Sequence, residues 1–164
     1  MSGRIAEILA ALRTWPNLRG WFRCGAELLW AVPALLLVAY FGDLVRIGPP
    51  VGPQEIAMIA ATLFVTPALG EELLFRATVI PRQEPRWPWL VLSATLFVLW
   101  HPLQAVTIGP PWAGAFLNPW FLAAVAFLGA ALARMYAASR SIWPPVVAHW
   151  LVVFVWKAFL GGPF

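Results

Sequence analysis

The chain has 164 residues, 62% of them hydrophobic and only 11% charged, and its mean hydropathy is +0.78. A soluble domain is about 45–50% apolar and about 25% charged, so the composition excludes an ordinary soluble fold and points to an integral membrane protein. The net charge of +4 is the balance of eleven basic and seven acidic residues, and the basic ones are spread among the connecting segments. They form no stripe, which argues against a nucleic-acid partner.

Residues 3 to 15 read as an amphipathic helix. Ile5, Ile8, Leu9, Leu12 and Trp15 fall on one stripe, with Arg4, Glu7 and Arg13 elsewhere, and Pro16 ends it. Such a helix is expected to lie in the membrane interface, as residues 1–20 of a single domain spanning 1–164. The transmembrane core then covers 21–164. No secretory signal peptide is visible, because Arg4, Glu7 and Arg13 interrupt the N-terminus. The one cysteine, Cys24, reads as a small packing residue.

Five apolar segments follow. The first runs from about Gly25 to Gly42, with Glu27 near its start and Pro33 placed to kink it. The stretch from Gly48 to Pro53 reads as a turn. The second segment starts near Gln54. If helical to Ile80 it would be roughly 40 Å long, so it must tilt or protrude. Pro67 should loosen its backbone. The third runs from Trp89 to His101, short for a crossing unless Pro102 is absorbed. A loop without charge follows at about Thr107 to Leu117, and Asn118-Pro119 reads as a helix start. The fourth segment reaches about Ala138 and holds the small pair Gly129 and Ala133, read as close helix packing. The fifth runs from Ser141 to about Leu160. Most basic residues lie before the first segment, around the loop at Arg82 and Arg86, and at Arg134 and Arg140. That asymmetry puts the N-terminus in the cytoplasm. The expected fold is therefore all-α, a polytopic membrane helix bundle of about five crossings plus an interfacial helix.

Charge inside this apolar chain is informative. Glu71 and Glu72 close the apolar run from Ile56 to Gly70. One ionised carboxylate near a bilayer centre costs about 2.5–3.5 kcal/mol on insertion scales, so such residues are rarely kept for packing. Glu72 and Arg76 are spaced i,i+4 and share a helix face, which suits a structural salt bridge. Glu71 points about 100° away from Glu72. The only two histidines, His101 and His149, also sit in apolar runs. Counted from the basic ends, Glu71 lies about 13 Å along its helix, His149 about 12 Å and His101 about 20 Å. Tilt can bring all three to one depth. Phe97, one turn before His101, reads as packing.

Two chemistries fit a Glu and two His in a water-accessible membrane pocket. In one, Glu71 activates a water, His101 orients it and His149 donates to the oxyanion. In the other, Glu71, His101 and His149 bind Zn²⁺ and Glu72 serves as base. The spacing is not HExxH. No Ser-His or Cys-His nucleophile arrangement is apparent. Hydrolysis is the natural reaction class for either.

The motifs Glu71-Glu72-x-x-x-Arg76, Phe97-x-x-x-His101 and Ser141-Ile142-Trp143-Pro144-Pro145 leading to His149 resemble those of the CPBP intramembrane proteases, also called ABI. That family groups CAAX prenyl endopeptidases with bacteriocin-processing and immunity-type proteins. The resemblance covers about residues 67–156. It implies a site opening to the cytoplasm, with Glu71 activating water, His101 as its partner and His149 in the oxyanion site. The expected substrate is a peptide or protein, prenylated or membrane-associated, the expected surroundings are membrane lipid, and the expected location is the plasma (inner) membrane. One departure stands out. Where the family usually has Asn or Asp one turn after the last histidine, this chain has Val153. A non-catalytic immunity or scaffold protein of the same fold is the competing expectation. A transporter is disfavoured, because no internal repeat is seen.

Overall fold

The computed structural model describes residues 2–47 and 52–163, and among these the chain is all helical. The expected turn at Gly48 to Pro53 falls largely outside the described residues. Its last residue, Pro53, is already the first of a helix.

α1 spans Ser2–Arg13. α2, Leu18–Ala26, is capped by Asn17, whose side chain accepts from the Gly20 amide. α3, Leu28–Phe41, continues it past Glu27 and through Pro33. The next membrane segment is compound. α4, Pro53–Leu63, runs into a kinked stretch, Phe64–Leu69, where Thr66 leaves the helical region before Pro67. A single α-turn, α5 (Gly70–Glu72), and a π-turn, Leu73–Ala77, complete it. α6, Trp87–Val106, absorbs Pro102 and so reaches 20 residues, resolving the shortness expected of the third segment. A 3₁₀ turn at Ala113–Leu117 precedes α7, Pro119–Ser139, which the Asn118 side chain caps at the Trp120 amide. α8, Trp143–Phe159, has Pro144 and Pro145 in its first turn. There the missing N–H groups would lack helical partners anyway.

Four helical stretches among the described residues are long and apolar enough to cross a membrane: Leu18–Phe41, Pro53–Ala77, Trp87–Val106 and Pro119–Ser139. α8 has 17 residues, about 25 Å of helix, a little under the hydrocarbon thickness. The chain is an integral membrane helix bundle.

α7 is its centre. Half of its apolar window is buried, against 11% for the α2–α3 stretch, and it packs on α2, α3, α6 and α8. Cys24 is buried against it, with its Sγ directed at the Met135 carbonyl, as a packing residue should be. Glu27 pairs across to Arg134 at 2.7 Å.

α1 is docked more firmly than an interfacial helix would be. Ala11 is fully buried among Ala77, Tyr136 and Ile142, and Ile8 and Leu12 pack on that cluster. Ile5, Leu9 and Trp15 remain exposed, so its apolar stripe is divided between protein and surroundings. Polar ties fix it to the ends of the other helices. Trp143 Nε1 donates to the Leu12 carbonyl, Ser141 Oγ to the Thr14 carbonyl, and Arg82 Nη2 to Thr14 Oγ1. Arg140 sits in the left-handed region, φ 57°, at the end of α7. Its side chain donates to the Arg82 carbonyl, while Arg82 Nε donates to the Arg140 carbonyl. This mutual grip offsets the cost of a non-glycine residue there.

Candidate active site

The acidic pair owes its setting to Pro67. Proline has no N–H to donate. The residue before it, Thr66, leaves the helical region (φ −135°, ψ 113°), so the chain kinks just ahead of the Gly70–Glu72 turn, and a wide π-turn follows that turn. π-Turns inserted in helices often coincide with functional sites. Pro67 was legible as a loosening point; the π-turn at Leu73–Ala77 was not.

Glu72 and Arg76 form the expected ion pair, at 3.1 Å, with both side chains fully buried. Glu72 does more than the sequence suggested, because its Oε1 lies 2.8 Å from His149 Nδ1. An ionised carboxylate can only accept, so Nδ1 carries the hydrogen and donates. Glu72 thus sets the orientation of His149 as well as neutralising Arg76. Arg76 in turn donates to the Gly129 carbonyl at 3.2 Å and lies 4.3 Å over the Phe97 ring.

Glu71 does not share the Arg76 partner, as its position round the helix implied, and it is held by another group. Its Oε1 accepts from Trp100 Nε1 at 3.1 Å. Its Oε2 is buried, makes no hydrogen bond within the protein, and lies 3.9 Å from His149 Nε2. Trp100 was missed at the sequence level, since a tryptophan in an apolar helix looks like any other; its only signal is adjacency to His101. Trp100→Phe removes this one donor and keeps an aromatic, if smaller, ring. It is expected to lower cleavage roughly tenfold, with thermal stability little changed, the size of one hydrogen bond to a charged group. Kinetics and a melting curve on the same preparation check this.

His101 Nδ1 donates to the Phe97 carbonyl at 2.9 Å, which leaves Nε2 as the nitrogen available to a ligand. Its ring is walled by Phe97, Phe116 and Phe121. Phe97 also meets the His149 ring edge-on, 5.5 Å between centroids, so both imidazoles share it as a neighbour. Glu71, Phe97, His101 and His149 all line one cavity of about 630 Å³, whose wall is otherwise mostly apolar.

Val153 lines the same cavity and can donate nothing. Besides the acid and the histidines, the hydroxyl, amide and ammonium groups on the wall are Thr62, Thr66, Gln104 and Lys157.

The Zn²⁺ alternative needs Glu71, His101 and His149 to converge on one point. Among the described residues no three His, Cys, Asp or Glu side chains are grouped so as to hold a metal ion. Glu71 and His149 approach each other, but the His101 ring is set into its aromatic wall. The donors as placed do not fit the metal, and no chemical step is derived through it.

A family model described as type II CAAX prenyl endopeptidase Rce1-like matches residues 53–155. No curated protein and no solved structure matches the chain. The matched stretch begins with α4 and ends within α8, so it takes in both acids and both histidines, while part of the cavity wall, from α3 and the end of α8, lies outside it.

Proposed function

The chain belongs to the type II CAAX prenyl endopeptidase Rce1-like family, and on that premise we propose that it is an intramembrane endopeptidase in which Glu71 activates water for attack on a peptide bond. The observation that carries this reading is the pair Glu71 Oε2 and His149 Nε2, 3.9 Å apart on the wall of the cavity. That gap is too long for a direct hydrogen bond and short enough for one oxygen atom to touch both.

Glu71 takes a proton from the water, and the hydroxide oxygen bonds to the peptide carbonyl carbon. The carbonyl π pair moves onto oxygen. His149 acts here as the imidazolium: its Nδ1–H is held by Glu72, whose carboxylate counters the charge, and its Nε2–H donates to the oxyanion. When the C–N bond breaks, Glu71 returns its proton to the leaving amine. His101 Nε2 orients the water or the peptide. Trp100 holds Glu71 so that only Oε2 faces the reacting atoms. The substrate is a membrane-associated or prenylated peptide, in keeping with the apolar wall. The plasma (inner) membrane is the proposed location, and the N-terminus in the cytoplasm is the orientation that the basic residues favour.

Val153 supports a second reading, an immunity or scaffold protein of the same fold that binds a partner without cleaving it. Cleavage of a broad set of membrane-associated peptides by the purified chain in lipid separates the two. The expected result is cleavage that His149→Ala abolishes and that persists in a metal chelator. No cleavage of any peptide would favour the scaffold. Activity lost in chelator and restored by Zn²⁺ would reinstate the metal.

A further inference from the structure

Three groups of the candidate site lean on one aromatic ring. Phe97 meets His101 at 5.1 Å and His149 at 5.5 Å between ring centroids, and Arg76 covers its face. What backs Phe97 is α7, a helix with neither an acid nor a histidine. A Cβ built on Gly129 would lie 2.9 Å from Phe97 Cδ1 and 3.7 Å from the Ala94 Cα. The first distance is closer than real side chains approach, so no larger residue fits without moving the ring. The Gly129 carbonyl also accepts from Arg76, and Arg76 pairs with the Glu72 that orients His149.

We propose that Gly129 is a positioning residue: by carrying no side chain it lets α7 press Phe97 against both imidazoles and hold Arg76, and so keeps His101, His149 and Glu72 in mutual register. Close helix packing is the usual reason for a small residue in a membrane helix. Here the packing has a specific beneficiary, because the ring filling the space beside Gly129 is the one that both histidines touch.

The test compares Gly129→Ala with Gly25→Ala, since a Cβ at Gly25 meets nothing within 4 Å. Alanine is intrinsically preferred over glycine in a helix, so a penalty confined to position 129 reports the contact with Phe97. Gly129→Ala is expected to move the imidazole ¹⁵N signals of His101 and His149 in detergent-solubilised protein, and Gly25→Ala to leave them in place. With cleavage as readout, kcat should fall roughly tenfold to a hundredfold with KM little changed, as for a small misplacement of reacting groups. In a Phe97→Leu background, where the ring is gone, the penalty of Gly129→Ala should largely vanish. If Gly129→Ala does not fold, the double variant should. Unmoved histidine signals, or a penalty in fold or rate as large without Phe97 as with it, would overturn the proposal. The kinetic arm rests on the hydrolytic reading, whereas the histidine signals do not. A wild type that cleaves nothing therefore counts against the activity and leaves the positioning role to be decided by the spectra.

Discussion

Glu71→Gln is expected to lower peptide cleavage by about 10²–10⁴-fold, the usual contribution of a positioned general base, without loss of fold. The change is nearly isosteric. A glutamine oxygen can still accept from Trp100 Nε1, as Glu71 Oε1 does at 3.1 Å. What it lacks is a basic oxygen opposite His149 Nε2. Stability should hold or rise, because Glu71 has no ion-pair partner as close as the one Glu72 has. Removing its charge from an apolar segment relieves a desolvation cost. Rates and melting temperatures measured on one preparation in lipid distinguish this from misfolding. Wild-type rates from Glu71→Gln would sink the assignment of the base. Glu72→Gln makes the informative contrast, since Glu72 binds both Arg76 and His149 and its loss should reduce stability and rate together.

The parts of this site that could be read from the sequence are those where a residue is chemically out of place. Two carboxylates and two histidines in apolar helices stand out because burying them without a purpose is costly. The Glu72–Arg76 pair follows from i,i+4 spacing. The helical segments follow from apolar length and from Pro and Asn at their starts, as Asn118-Pro119 shows. What escaped notice is the role of residues ordinary for a membrane helix. Trp100 carries no charge, and only the fold brings it to Glu71; Gly129 read as close packing, and only the packing of α6 against α7 shows that the ring it meets is Phe97. The contact of Glu72 with His149 spans 77 positions and needs the tertiary fold. The docking of α1 was hidden for a related reason. An amphipathic stripe says that one face seeks an apolar surface and not whether protein or lipid supplies it.

Arg76→Met is expected to destabilise the protein by about 3–5 kcal/mol, the cost of leaving one member of a buried ion pair without the other. Both Arg76 and Glu72 are fully buried. The guanidinium also serves the Gly129 carbonyl and the Phe97 face, so methionine removes three contacts and leaves Glu72 only the imidazole of His149. Adding Glu72→Gln should recover much of the stability, because a buried pair exchanged for neutral groups of similar size is often tolerated. It should not recover cleavage. The amide oxygen can still accept from His149 Nδ1, but no negative charge remains to support an imidazolium during attack. Thermal unfolding in detergent and cleavage in lipid, run on the single and double variants, read the two effects separately. An Arg76→Met protein that melts with the wild type would contradict the burial of the pair. A stable but inactive double variant would show that the charged pair is held in the membrane for the histidine it orients, at a position where neutral residues would serve the fold as well.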